Sequence, residues 1–229
     1  KGGNTKDRDS ILVIGDTHEP FALPGYLDFC LDIYKRVKCK KVVHIGDLVD
    51  NHAISYHEHD PNGKSPLDEM KETDKHLKNW FKAFPQAYLC RGNHDRLVDR
   101  KSKTAGLPDR VFKSFREIWG LPKGWIDDFS FTLNNVVFQH GTGYCGDNAH
   151  MTAAIRNRAS TVIGHIHSLS TMGYTASEKD CIFGMCVGCG IDRRTYAFEY
   201  GREMPKKPIV SCGVVTDNGK YAQVFKMEL

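Results

Sequence analysis

The chain has 229 residues, 40% of them hydrophobic and 26% charged, with 32 Lys and Arg against 28 Asp and Glu for a net charge of +4. That length suits one large domain with a substantial core, and no apolar run nears the ~18 residues of a membrane span. The sequence pI near 8.6 lies under the value above about 9 expected of a dedicated nucleic-acid module. Eight scattered cysteines in a chain with a full-sized core need no disulfide scaffold, so reduced thiols in a cytoplasmic protein are expected.

Residues 1–10, KGGNTKDRDS, read as a polar tail, disordered or appended, and lack the charged segment and apolar core of a secretory signal. ILVIGD (11–16) is a short buried strand ending in Gly-Asp. A helical stripe follows at 27, 30, 31, 34 and 37. KVVHIGD (41–47) repeats the strand that ends in Gly-Asp. An amphipathic helix over 67–84 places 70, 77, 80, 81 and 84 on one face, and QAYLCRGN (86–93) is a third strand. This alternation implies βαβ units and a parallel sheet. Seven basic and two acidic residues fall in 96–116, directly after the third strand. That tract reads either as a solvated loop and helix face or as a rim that attracts phosphate.

After about residue 128 the pattern turns to strands with short connections: FSFTL, VVFQHG, TVIGH, CIFGMCVG, PIVSCGVV and YAQVFKM. Asn134-Asn135 and Asp217-Asn218-Gly219 are hairpin turns, and one helix near 148–158 interrupts the strands. No repeat or linker divides the chain. The expected fold class is α/β: one domain over 1–229, with two mixed β-sheets packed as a sandwich and helices outside. The Cys186 and Cys189 pair has no second close pair to complete a zinc knuckle, only the isolated Cys212, so Cys181, Cys186, Cys189 and Cys212 read as buried thiols of unassigned role.

Polar residues stand at strand ends five times over. They are Asp16 and His18, Asp47 and Asp50, Asn93 and His94, His140, and His165 and His167. One buried His is usually a hydrogen-bonded core residue, but burying five such clusters without a shared partner is costly. A pair of divalent cations supplies that partner. Mixed imidazole and carboxylate donors suit Zn, Fe or Mn rather than the all-oxygen shells of Ca and Mg. Two such ions can activate a water for in-line displacement at phosphorus, and a His outside the ligand set can protonate the leaving oxygen.

The motifs D-x-H, GD-x-x-D, GNHD, a lone His and GH-x-H, in that order over roughly residues 11–190, resemble those of calcineurin-like metallophosphoesterases, in particular small microbial and phage-type members. The resemblance implies a four-layer fold, a two-sheet sandwich flanked by helices. It implies that Asp16, His18 and His167 bind one metal and Asn93, His140 and His165 the other, with Asp47 bridging. His94 would be the general acid and Asp50 the carboxylate that orients it. The expected reaction is hydrolysis of a phosphodiester or phosphomonoester, of a small molecule, nucleotide or nucleic acid. No membrane and no obligate protein partner is implied.

This chain departs from the pattern in two places. Protein phosphatases of the superfamily carry Arg where Asn51 stands, which weakens that reading. Only Gly141 and Thr142 follow His140, and His150 is expected at the surface. Asn51, His52, His57, His59, Arg91 and Arg96 are candidates for substrate contact, against the plainer reading of 52–59 as an exposed polar loop. Two alternatives remain: a nuclease, supported by the 96–116 tract, and a non-catalytic scaffold of the same fold. The scaffold is the weaker because members that lose catalysis usually lose ligands, and here every position is filled.

Overall fold

The computed structural model describes residues 9–56 and 60–228. β1 (Ile11–Ile14), α1 (Tyr26–Val37), β2 (Lys41–His44), α2 (Pro66–Ala83) and β3 (Ala87–Cys90) form the expected βαβ units. α3 (Leu97–Thr104), α4 (Phe115–Ile118) and β4 (Trp125–Asp128) follow. The second half contains β5 (Ser130–Leu133), β6 (Val136–Gln139), α5 (Ala149–Asn157), β7 (Thr161–Ile163), β8 (Ser170–Ala176) and β9 (Cys181–Val187). It ends with β10 (Ser211–Thr216) and β11 (Tyr221–Lys226).

Two mixed sheets result, ordered β11-β10-β1-β2-β3-β4 and β5-β6-β7-β9-β8. The division does not follow the sequence halves, because β10 and β11 return to the first sheet, where β10 pairs antiparallel with β1. Alternation along β1 explains the layering. Leu12 and Ile14 join the cluster under α1 and α2, with Trp80 and Trp125. Ile11 and Val13 join the one between the sheets, with Phe138, Phe183 and Met185. Both faces of β1 are thus buried, which is why its residues are continuously apolar. Ala149 and Ala153 of α5 pack on Ile163 and Cys186 of the second sheet, completing helix, sheet, sheet, helix. Among the described residues no helix is long and apolar enough to cross a membrane.

Several expectations are corrected. Asp9, read as tail, is held by the fold: its amide donates to Asn218 Oδ1 (3.0 Å) and its carboxylate pairs with Lys41. Residues 1–8 lie outside the described residues. The buried line of α1 runs through Tyr26, Cys30 and Ile33, with Leu27, Leu31, Tyr34 and Val37 flanking it. On α2 the buried line is Glu69, Thr73, Leu77 and Trp80. Met70 is exposed, because the Glu69 carboxylate turns inward to accept the backbone N–H groups of His52 and Ala53 (2.7 and 2.8 Å). β4 and β8 went unread, being edge strands with little or no apolar alternation. His150 is buried, since α5 lies close on β9: a Cβ at Gly184 would stand 2.3 Å from the His150 carbonyl oxygen. Cys186, Cys189 and Cys212 are buried as read, while Cys181 is exposed at the start of β9.

Candidate metal centre

The polar clusters all follow strands of the inner layers. Asp16 and His18 leave β1, Asp47 and Asp50 leave β2, and Asn93 and His94 leave β3. From the second sheet, His140 leaves β6, and His165 and His167 leave β7. Carboxyl ends of parallel strands converge there, where open α/β sheets hold ligands. Three of these residues sit in the left-handed backbone region: His18 at φ 49°, Asp47 at φ 47° and His165 at φ 68°. Each such position costs on the order of 1–3 kcal/mol and persists only where its surroundings enforce it. Two glycines permit the approach of the carboxylates. A Cβ at Gly92 would lie 2.1 Å from Asp47 Oδ1, and one at Gly164 2.3 Å from Asp16 Oδ1.

Among the described residues three groups have donor atoms within 4.8 Å of one another: Asp16 with His18 and His167, Asp47 with His140 and His165, and His18 with Asp50 and His94; the first two adjoin. His18 Nε2 is 3.1 Å from His167 Nε2, and His167 Nε2 is 3.2 Å from Asp16 Oδ2. In the second group His140 Nε2 lies 3.1 Å from Asn93 Oδ1 and 3.1 Å from Asp47 Oδ2. Asp47 Oδ2 is also 3.6 Å from His18 Nε2, so this one oxygen adjoins both groups. Asp47 Oδ1 accepts the backbone N–H of His94 (2.8 Å).

This donor set fits divalent cations. Asp16 Oδ1 is buried with no hydrogen-bond partner among the described residues, a costly state for a carboxylate oxygen unless a cation shares it. The outer nitrogens of two ligand-type histidines are engaged elsewhere: His18 Nδ1 with Asp50 Oδ1 (2.5 Å) and His140 Nδ1 with the Ile45 carbonyl (3.2 Å). Metal-binding histidines are characteristically held this way by their second nitrogen. His44 is the contrast. Its ring is wholly buried, touches Thr17 Oγ1 (3.0 Å), and burial pushes it down to about 3, a neutral core histidine.

Electrostatics support the same conclusion. Burial opposes ionisation of Asp16 and Asp47, yet His140 with His167 holds Asp16 below the usual carboxylate range, and His140 with His94 holds Asp47 well below it. His140 is raised to about 9, because Asp47 and Asp16 outweigh its burial. Burial keeps His18 and His165 below the ordinary imidazole range. The two carboxylates thus favour positive charge beside them, which a divalent cation would supply.

His94 directs Nδ1 to the Asp50 carbonyl oxygen (2.7 Å), with Asp50 Oδ1 at 3.4 Å. The Asp50 carboxylate is thus nearer to His18 than to His94, and burial pushes it up to about 6. Burial lowers His94, but Asp47 and Asp50 outweigh it and the net shift is upward.

A cleft of about 700 Å³ opens over the cluster, lined at its floor by His18, Asp47, Asn93, His94, His165 and His167. Of the residues read as substrate contacts, Asn51, His52, Arg91 and Arg96 do not line this cleft. Asn51 Nδ2 donates to the His94 carbonyl (3.0 Å). His52 is buried against Phe21 and Tyr196. Arg91 and Arg96 both lie over the Phe129 ring, at 4.9 and 5.0 Å. His57 and His59 lie outside the described residues. No residue of the 96–116 tract lines the cleft. Its wall is the connection from 188 to 210, with Arg193, Arg194, Arg202, Lys206 and Lys207. It carries one short 3-10 helix, Tyr196–Gly201, and its length between two strands is the signal the sequence offers, since long connections are often functional.

A family model described as calcineurin-like phosphoesterase matches residues 10–169, which include every residue assigned above to the centre. Comparison with curated proteins finds no match. Among solved structures, an archaeal phosphodiesterase is 15% identical, with 95% of this chain and 99% of that one covered and a TM-score of 0.47. Vacuolar protein sorting 29 from Cryptosporidium parvum is 13% identical over 97% and 98% of the two chains, TM-score 0.47. The E. coli phosphoesterase YfcE is 15% identical over 90% and 87%, TM-score 0.40.

Proposed function

Because the chain belongs to the calcineurin-like phosphoesterase family, we propose that it hydrolyses phosphodiesters at a pair of divalent cations, Mn, Zn or Fe. One observation carries the reading: Asp47 Oδ2 adjoins both donor groups, 3.1 Å from His140 and 3.6 Å from His18. In this reading Asp16, His18 and His167 hold one ion, Asn93, His140 and His165 the other, and Asp47 both. When bound, the ions supply Lewis-acid activation of water and charge for the phosphoryl oxygens.

The chain's own groups do the rest. With Nδ1 engaged by the Asp50 carbonyl, His94 has Nε2 left to carry the proton that a leaving oxygen needs. Asp50 and Asn51 fix that imidazole through its ring and its own carbonyl. The Asn51 amide is therefore engaged with the protein. It cannot reproduce the bidentate clamp of an Arg, which favours diesters over phosphoproteins.

The test is turnover of an aryl phosphodiester and an aryl phosphomonoester with Mn, Zn, Mg and Ni, alongside elemental analysis of the purified protein. The expected result is bound transition metal, activity abolished by chelation, and kcat/KM at least tenfold higher for the diester. No turnover with any metal, together with no bound ion, would replace this reading with that of a non-catalytic scaffold.

A further inference from the structure

The family model ends at residue 169, yet one whole side of the cleft comes from the connection between β9 and β10. This segment carries five basic and three acidic residues. Three of the cations are matched locally: Arg194 by Asp192 (2.8 Å), Arg202 by Glu199 (2.6 Å) and Lys206 by Asp147. Two are not. Arg193 has no ion-pair partner among the described residues, and Lys207 Nζ meets only the carbonyl oxygens of Gly201 and Arg202 (3.3 and 2.7 Å), which leave its charge whole.

We infer that this wall holds the phosphates flanking the scissile one in a single-stranded nucleic acid, with Arg193 and Lys207 as the residues that set specificity for a polyanion. The inference rests on the phosphodiesterase reading above and names its substrate class. The volume supports it, since about 700 Å³ far exceeds what one phosphate fills and lies within the usual range for larger ligands. Depth supports a single strand. The side chains of His18 and Asp47 are 1% and 2% exposed, and His94 only 14%, so the reacting phosphate must descend between the walls, as an unpaired strand can. Tyr144 also lines the cleft, a half-buried aromatic ring with the Arg156 guanidinium 5.7 Å from its centroid. Charge that tracks a backbone beside surfaces for stacking is the general design of single-strand sites.

The experiment measures binding of hydrolysis-resistant phosphorothioate strands of DNA and of RNA to the metal-loaded protein by fluorescence anisotropy across a salt series. It also measures kcat/KM for a natural oligonucleotide relative to an aryl diester. Arg193→Gln and Lys207→Gln should each weaken strand binding about tenfold and flatten the slope of log K against log salt by about 0.7, the value for one lost single-strand phosphate contact. The oligonucleotide-to-diester ratio should fall in step, while Lys103→Glu, on the exposed side of α3 away from the cleft, changes neither. DNA and RNA should respond alike, because the shared phosphate is what is read. Unchanged binding and ratio in both wall variants would overturn the inference, as would duplex binding as tight as that of single strands. A wild-type protein that cleaves the aryl diester but binds no strand would overturn it while the phosphodiesterase reading stands. Strand binding by a protein that cleaves no diester with any metal would overturn both, since no bound phosphate would then be scissile.

Discussion

On the floor of the cleft, Asp16 and Asp47 are sealed from solvent, and each is oriented by a backbone N–H, from His165 and His94 respectively. On its wall, Arg194, Arg202 and Lys206 project into solvent, with 76%, 65% and 59% of their side chains exposed. The floor is assembled from five strand ends in two sheets, and the wall is one connection. Buried charges that lose a partner are strongly penalised, whereas exposed ones are screened and replaceable. The floor should therefore respond to substitution abruptly and the wall in graded, salt-dependent fashion.

The largest effect should come from Asp47→Ala. It removes the oxygen that adjoins both groups, so both ions should be lost and turnover should fall below detection. Elemental analysis finding two ions in this variant would refute the shared position. Next is His94→Ala, expected to keep its metals and lose about 10²–10⁴-fold in kcat. The loss should shrink for an aryl ester, whose leaving group needs little protonation, and metal loss here would make His94 a ligand instead. Asp50→Asn should weaken metal affinity by about 10–100-fold, the usual cost of removing the group that orients a ligating histidine. It separates two roles: if Asp50 serves only His94, metal affinity stays and the pH–rate profile moves.

The smallest effect lies behind the floor. Burial, the largest cause, raises Glu69 to about 7 from 4.5. Its folded value exceeds its unfolded one, so the contribution is favourable below about 4.5 and is lost as pH rises through about 7. Chemical denaturation of the wild type and Glu69→Gln should show the variant gaining relative stability between pH 5 and 8, by about 1 kcal/mol once solvent screening is counted. A difference independent of pH would mean that Glu69 is ionised in the fold throughout.

The floor was readable before the fold because its residues have chemistry that few other arrangements need. Asp, Asn and His after apolar runs, with Gly beside them, mark carboxyl strand ends, and the layered α/β sandwich follows from the same runs. Asp50 shows the limit: the family resemblance attached it to His94, while its carboxylate lies closer to His18, a contact between β1 and β2 loops that no local pattern encodes. The wall was unreadable for another reason. Lys and Arg on a surface usually indicate nothing but solvation, and the denser tract at 96–116 drew attention to α3, whose Arg100 and Lys101 lie over Tyr56. Contacts distant in sequence bring 188–210 over the centre: the pairing of β10 with β1 and the backbone bonds of Gly190 to Asp16 and of Ile209 to His167.

That pairing has a consequence for the order in which the molecule is made. A chain emerging amino end first has presented every side chain of the centre once His167 has appeared. β1, which positions Asp16 and His18, is by then paired on one side with β2 alone. Its other edge stays bare until Ser211–Thr216 arrives to register Ile11 against Val215 and Ile14 against Cys212. A bare, wholly apolar edge invites the wrong neighbour, and closing it spans almost the full length of the chain, the kind of distant pairing that forms slowly. β1 is thus secured on its second edge only late, when the β10–β11 hairpin docks against it.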